Sequence, residues 1–154
     1  MSSMRKNPRL PNSVMAIKRT KYDIVFSNYI RERDGWKCQR CSKQYNKYNS
    51  HDKMALHCSH FVGRSNWKTR LCPANAMALC YGCHRFVGSH PIEHRELWER
   101  KFSNKEQSQI LKLKNDTSIK KRDVTTQETY DKLKQMLKEV SNGESTDASQ
   151  DDSL

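Results

Sequence analysis

Two Cys-x-x-Cys pairs constrain the possible folds of this chain more than any other feature. Cys38 and Cys41 form the first pair, Cys80 and Cys83 form the second, and 38 residues separate the two pairs. Each such turn brings its two sulfur atoms within about 4 Å, the edge of a tetrahedron whose Zn–S bonds are near ~2.3 Å. The spacing therefore predicts a structural zinc ion that is held by four thiolates and joins two distant segments.

The second pair is followed directly by His84, and Cys-x-x-Cys-His is also a haem-attachment motif. That chemistry normally requires export, and no apolar run in the sequence is long enough for a signal peptide or a membrane span. We therefore expect a cytoplasmic, reducing location without a membrane partner, where cysteines bind metal rather than form disulfides. We interpret Cys58 and Cys72 as small buried apolar residues, with Cys58 a secondary metal candidate.

The charge of the chain is strongly one-sided. The formal net charge of the 154 residues is +12. Only 34% of the residues are hydrophobic, so the core is small and a structural metal ion would add stability. Residues 141–154 carry four acids and no Lys or Arg, so residues 1–140 alone stand at +16. A surplus of this size is typical of proteins with a polyanionic partner, although charge also serves solubility.

Hydrophobic periodicity and turn signals divide the chain into short elements. Residues 22–36 predict a helix that Gly35 ends, and residues 125–140 predict another that begins with a Thr125–Glu128 capping box. Between them we expect two strands, in residues 54–62 and 77–80, joined by a basic loop over 63–76. Helices are expected in residues 81–87 and 91–102, followed by a polar linker over 103–124. At the two ends of the chain we expect a basic disordered arm over residues 1–20 and an acidic disordered tail over 141–154.

The order of histidines and asparagine across these elements is informative. His57 and His60 fall on the first predicted strand, Asn75 falls in the loop, and His84 falls on the helix that follows the second strand. This order is that of an HNH (ββα-metal) nuclease site. The stretches "FSNYIRERD", "CQRC", "SHFVGR" and "TRLCPANAMALCYGCHR" together resemble the phage NinG-type recombination proteins, a family that looks like a subclass of HNH nucleases.

The resemblance covers residues about 22–100 and implies a small α+β fold. Its expected centre is a ββα-metal core, stapled by the four-cysteine zinc site, within a nuclease domain over residues 21–102. Flanking helices and disordered termini complete the prediction. For a phage-encoded protein the expected location is the host cytoplasm.

The residues can be assigned roles in phosphodiester hydrolysis. A neutral imidazole can accept the proton of an attacking water, and we assign this role to His60. His84 is the first predicted ligand of one catalytic divalent cation (Mg²⁺, Mn²⁺, Ni²⁺ or Zn²⁺), and His57 and His90 are further candidates. The resemblance implies that Asn75 stiffens the loop and orients the base through backbone hydrogen bonds.

The chain departs from the usual pattern at one ligand position. HNH sites commonly carry an Asp or His immediately before the base, where this chain has Ser59. The NinG-like members place an Asp three residues before the base, where this chain has His57. An imidazole-rich ligand set would favour Zn²⁺, Ni²⁺ or Mn²⁺ over Mg²⁺, which prefers oxygen.

The basic loop is the predicted DNA grip. It presents cationic side chains around Trp67, which either stacks on a base or fills the core. The resemblance implies DNA partners, branched recombination intermediates among them. Two alternatives stay open, a non-catalytic zinc-stapled nucleic-acid-binding module and a protein adaptor that uses its C-terminal helix. The predicted phosphate contacts are Arg64, Lys68, Arg70 and Arg85.

Overall fold

The computed structural model describes residues 17–143 of the chain. These residues form a small α+β structure of α-helices around one two-stranded antiparallel sheet. In chain order the elements are α1 (Lys21–Arg33), α2 (Ser50–Ala55), β1 (Leu56–His60), α3 (Trp67–Arg70), a 3-10 turn (Pro73–Asn75), β2 (Ala76–Cys80), α4 (Tyr81–Ser89), α5 (Pro91–Lys101), α6 (Asn104–Asn115), α7 (Lys121–Val124) and α8 (Gln127–Ser141).

Helix α1 forms because its ends are capped and one of its faces is apolar. Thr20 and Asp23 make a reciprocal capping box at its start, and Gly35 follows its end with a φ of 63°, a left-handed conformation that favours glycine. Phe26 and Ile30, four residues apart, are fully buried. Helix α8 packs along α1.

The two strands pair antiparallel, and the chain enters a helix directly after the second one. Leu56 of β1 lies opposite Cys80 of β2, and His60 lies opposite Ala76. Helix α4 starts at the residue after β2 and packs against both strands. The order strand, strand, helix that the sequence predicts is therefore present, with α5 packed on α4.

Residues at and just after the end of α1 form hydrogen bonds with the backbone groups along the outer edge of β2. The amide of Ala78 donates to the Asp34 carboxylate over 2.8 Å, and the Ala78 carbonyl accepts from the Gln39 amide over 2.9 Å. One residue pair further along, Arg33 donates to the Ala76 carbonyl over 2.7 Å. The turn that follows α1 is thereby fastened to the sheet.

The predicted polar linker over 103–124 is wrong. Helix α6 occupies most of it, opened by a capping box of Ser103 and Glu106, and Ile110 on its inner face is 2% exposed. Helix α7 follows before α8 begins. The prediction failed because one buried isoleucine on a charged helix produces little periodicity, although the capping box was legible.

The start of the last helix also differs from the prediction by one residue. Thr126, rather than Thr125, is the N-cap of α8, and its hydroxyl accepts from the Thr129 amide over 3.1 Å. Thr125 instead ends α7, where its amide and hydroxyl both bond to the Lys121 carbonyl. The predicted arm and tail lie, over residues 1–16 and 144–154, outside the described residues. Within residues 17–143, no helix combines the length and apolarity needed to cross a bilayer.

Candidate metal centre and histidine cleft

The four cysteines of the two pairs come together in space. Cys38, Cys41, Cys80 and Cys83 place their sulfur atoms within 4.8 Å of one another, close enough to bind one metal ion. The Cys41 and Cys80 sulfurs are 3.8 Å apart. Sulfurs bound to a tetrahedral zinc at ~2.3 Å lie about 3.8 Å apart, so the spacing suits that ion.

Each cysteine pair is shaped by its own local structure. The first lies in a turn closed by a hydrogen bond from the Cys38 amide to the Lys43 carbonyl, with Ser42 at a φ of 64°. The second lies at the junction of β2 and α4, where the Cys80 sulfur caps the helix by accepting from the Cys83 amide. A metal ion at this point would therefore tie the end of α1 to the start of α4.

The pKa values of the cluster cysteines shift in opposite directions. Burial raises the pKa of Cys38, but backbone N–H groups outweigh it and lower that pKa to about 7. Burial and the neighbouring sulfurs raise the pKa of Cys83 to about 12, a crowding that a divalent cation would relieve. The Arg40 guanidinium lies 3.5 Å from the Cys83 sulfur and 3.9 Å from the centre of the Phe86 ring. Its positive charge would offset part of the excess negative charge of a four-thiolate site.

A cleft of about 450 Å³ opens beside β1, between helices α1 and α4. Three of the predicted site histidines face it. The side chains that line it come from α1, the end of α2, β1, α4 and the flanking loops: Arg19, Asp23, Ser27, Asn28, Arg31, Lys53, Met54, His57, Cys58, His60, Arg64 and His84.

His57 and His84 meet across this cleft. Their Nδ1 atoms are 3.0 Å apart, and the His57 ring also makes an edge contact with Tyr81 at the cleft rim. Burial lowers the pKa of both imidazoles from the ordinary value of 6.5, which favours their neutral forms. Two nitrogens on one metal at about 2.1 Å lie about 3.0–3.4 Å apart, so this pair fits either a shared cation or an imidazole hydrogen bond.

His60 is held in one orientation by the loop that follows β1. Its Nε2 atom lies 2.9 Å from the Arg70 carbonyl, which fixes Nε2 as the protonated nitrogen and leaves Nδ1 with a free lone pair. Burial lowers the pKa of His60 from its ordinary value of 6.5 to about 4. His60 can therefore accept a proton at neutral pH, although as a weaker base than a solvated imidazole.

Asn75 is fully buried and fastens the loop that holds His60. Its side-chain oxygen accepts from the Val62 amide over 2.7 Å, and its nitrogen donates to the carbonyls of Val62 and Thr69. Its backbone carbonyl accepts from Phe61 over 2.8 Å. These are the loop contacts that the sequence interpretation assigned to it, while any contribution to catalysis stays a prediction.

The cationic groups of the cleft are mostly not those predicted from the loop. Arg64 lines the cleft, whereas Lys68 lies on α3 and Arg85 lies exposed beside Tyr81, both outside it. Sequence analysis missed Arg19, Arg31 and Lys53, which share the cleft. Arg19 lies just before the predicted first helix and Arg31 lies within it, and the helical spacing of Asp23, Ser27 and Arg31 was the available signal that these three share one face.

Arg70 is a correction to the predicted DNA contacts. Its side chain is 1% exposed and pairs with Asp23, with an Nη2–Oδ2 distance of 2.6 Å. Burial raises the pKa of Asp23, but hydrogen bonds from Arg70 and Thr20 outweigh it and lower that pKa to about 2. Arg70 also lies 4.0 Å from the half-buried Trp67 ring. It therefore stabilises the loop and offers no charge to a ligand.

His90 is a second correction. It caps the end of α4, its Nδ1 lies 2.8 Å from the Phe86 carbonyl, and its ring stacks on Phe86 away from the cleft-lining side chains. Ser59, at the position where HNH sites carry a ligand, is 1% exposed and buried away from the cleft. Cys58 is half-buried against the cleft wall and Cys72 is half-buried behind α3, and neither joins the four-cysteine cluster.

No protein-family model, curated protein or solved structure matches this chain. The resemblance to NinG-type proteins therefore stays a prediction.

Proposed function

We propose that this chain is a metal-dependent DNA endonuclease with an HNH-like site, held together by a structural zinc on the four cysteines. The observation that carries the proposal is the gathering of His57, His60 and His84 around one cleft that also holds cationic side chains. Imidazoles supply a base and metal ligands, and cations attract a phosphodiester. No other cluster in the described chain combines these chemistries.

The side chains divide the work of hydrolysis between them. His60, through its free Nδ1, accepts the proton of the attacking water, and the Arg70 carbonyl keeps the ring oriented while it does so. Asn75 keeps that carbonyl in place through the Thr69 and Val62 backbone. Because the loop is fastened before substrate arrives, little reorganisation is needed in the transition state.

His57 and His84 are the proposed ligands of the catalytic cation. When bound, a divalent cation supplies Lewis-acid stabilisation of the scissile phosphate and of the departing 3′ oxygen. Two neutral nitrogen donors favour Mn²⁺, Ni²⁺ or Zn²⁺ over Mg²⁺. The four-thiolate cluster has the donors and spacing of a structural zinc site, and one of its members, Cys83, directly precedes His84 on α4.

A specific observation favours a second candidate function, a non-catalytic nucleic-acid-binding module. In the part of the chain that the structure describes, His57 and His84 bring only two donors to the cleft, whereas catalytic metal sites commonly have three protein ligands. Such a module would keep the zinc staple and the cationic cleft. It would bind DNA without cutting it.

Cleavage of supercoiled plasmid separates the two functions. With added Mn²⁺ or Ni²⁺ we expect nicked and linear products, and no product in excess chelator. His60→Ala should lower the rate roughly 10²–10⁴-fold, the usual contribution of one positioned proton acceptor, with little change in DNA affinity. His84→Ala should instead raise the metal concentration needed for half-maximal activity, because it removes a ligand.

The matched control is His51→Ala, which removes an exposed histidine from α2 outside the cleft and should leave the rate unchanged. Zinc content and circular dichroism of each variant confirm that the fold is intact. Equal cleavage by the parent protein and His60→Ala would exclude His60 as the base. DNA binding without cleavage under every metal condition would favour the binding module.

A further inference from the structure

Arg31 is a buried arginine without an acidic partner. Arg31 is 8% exposed and lies on the inner face of α1. No carboxylate within residues 17–143 lies within ion-pair distance of it, and the acid nearest in the cleft wall, Asp23, is paired with Arg70. A desolvated charge without a counter-ion is costly, and buried arginines are normally paired.

Neutral acceptors fix the Arg31 side chain but leave its charge uncompensated. Nε donates to the Leu56 carbonyl over 2.7 Å, and Nη1 donates to Ser27 and Asn28 over 3.3 and 3.1 Å. The other amino group, Nη2, has no acceptor among the described residues and is not enclosed by protein. Because Arg31 lines the cleft, the two N–H groups of Nη2 are available to a ligand there.

The surroundings of Arg31 strengthen the attraction for an anion. Arg19 bonds to the same Ser27 hydroxyl over 2.7 Å, and Arg64 lines the other side of the cleft. Two arginines that share one serine repel each other unless a negative group lies between them. The free Nη2 group of Arg31 can donate to a phosphate oxygen in a charge-assisted hydrogen bond.

We propose that Arg31, assisted by Arg19, forms a preorganised phosphate site in the cleft, and that it holds a backbone phosphate of the DNA strand beside His57 and His84. The proposal deepens the proposed function, on which its DNA part rests. Arg31 is the binding residue, and its bonds to Leu56 and Asn28 set the direction of Nη2.

Anion binding to the protein in its zinc-bound form tests the site without any cleavage. In metal-free buffer of fixed ionic strength, replacing chloride with inorganic phosphate should raise the melting temperature of the parent protein. Arg31→Gln should lose that increment and should bind a short single-stranded DNA about tenfold more weakly, since a charge-assisted contact is removed. The control Arg95→Gln removes a surface arginine that pairs with Glu99 and should behave as the parent.

Side-chain NMR keeps the test independent of any variant that fails to fold. In the parent protein, the ¹⁵N–¹H signal of Arg31 Nε should shift on titration with phosphate, while that of Arg95 should not. An unmoved Arg31 signal, or equal phosphate stabilisation of Arg31→Gln and the parent, would overturn the site. A shift with inorganic phosphate but unchanged DNA affinity in Arg31→Gln would assign it to free phosphate and overturn the DNA part.

These outcomes are separate from those that decide the nuclease proposal. If no cleavage occurs but phosphate and DNA still depend on Arg31, the phosphate site stands and belongs to a binding module. If cleavage depends on His60 while phosphate binding ignores Arg31, the nuclease stands without this site.

Discussion

At the scale of single residues, burial decides the chemistry of the cleft. His60 is a histidine whose pKa falls to about 4 because it is buried against α1 and the following loop. It stays neutral throughout the physiological range, so its readiness as a base does not depend on pH there. In the proposed nuclease, the reduced basicity of His60 would leave more of the rate to the cation and to the phosphate contacts.

This lowered pKa leads to a prediction for the pH profile. The base must be neutral, so activity is lost as pH falls through its pKa, near 4 rather than near 6.5. With saturating metal and subsaturating DNA, kcat/KM at pH 5.5 should be close to its value at pH 7.5. If the base were a histidine with an ordinary pKa, kcat/KM would fall about tenfold from pH 7.5 to pH 5.5. A tenfold loss in this measurement would mean that a solvated group, and not His60, limits the rate.

The Asp23–Arg70 pair yields a second residue-scale prediction. Asp23→Asn leaves Arg70 buried without a counter-ion, and removing one partner of a buried pair costs about 3–5 kcal/mol of unfolding free energy. The surface pair Arg95–Glu99 is a matched control, because Glu99→Gln should cost about 1 kcal/mol or less. Urea unfolding at pH 7 measures both. Equal losses in the two variants would contradict the assigned role of Arg70.

The same pair should show its pH dependence with a definite sign. The folded pKa of Asp23, about 2, lies below its ordinary value of 3.8, so its stabilisation is present above pH 3.8 and is lost as pH falls toward 2. The stability difference between parent and Asp23→Asn should therefore be constant above about pH 5 and shrink below pH 4. Loss of metal in acid affects both proteins and cancels in this difference.

At the scale of elements, the cysteine cluster joins two segments that have no sheet or helix in common. The turn after α1 contributes one pair, and the β2–α4 junction contributes the other. Cys83 and His84 are adjacent on α4, so the staple also sets the position of the proposed catalytic ligand. Metal binding to such sites supplies folding free energy on the order of 10 kcal/mol.

The corresponding prediction concerns zinc content. The purified protein should hold one zinc per chain, and Cys38→Ser should release it and unfold the chain, because the folded state depends on the metal. Cys72→Ser removes a thiol outside the cluster and should keep both zinc and fold. Elemental analysis and circular dichroism provide the measurements. If the parent protein were well folded without zinc, the four cysteines would not form a structural zinc site.

Sequence patterns predicted those elements whose signals are local. The Cys-x-x-Cys spacing predicted the cluster around Cys38 and Cys80, and periodicity predicted α1, the two strands, α5 and α8. The partners of Arg70 and Arg31 were not predictable. Asp23 lies 47 residues from Arg70 in the chain, and Leu56 lies 25 residues from Arg31, so tertiary packing alone brings them together.

At the scale of the whole molecule, positive charge is concentrated in the cleft that holds the histidines. The formal charge is +12, and four of the cations line the cleft that holds the histidines, namely Arg19, Arg31, Lys53 and Arg64. The single acid in that lining, Asp23, is neutralised by Arg70. The cleft therefore presents a net positive field to a polyanion.

The salt dependence of DNA binding tests whether the cleft is the DNA-binding surface. If each of the four cleft cations contacts one phosphate, log K should fall with log salt with a slope of about −3 to −4. Arg64→Glu and Lys53→Glu should each weaken binding for every sequence alike and make the slope less steep. Anisotropy titrations at several salt concentrations measure this. A slope near zero would exclude the cleft as the DNA-binding surface.

The hydrogen bonds along the outer edge of β2 have a consequence for association between molecules. A two-stranded sheet normally exposes backbone groups that can template a further strand, which is a route to aggregation. Here Asp34 and Gln39 engage both backbone groups of Ala78, and Arg33 engages the carbonyl of Ala76. An incoming strand would have to displace a carboxylate and a guanidinium that already bond to each other. Self-assembly by strand addition is therefore blocked at this edge, and so is recognition of an extended peptide.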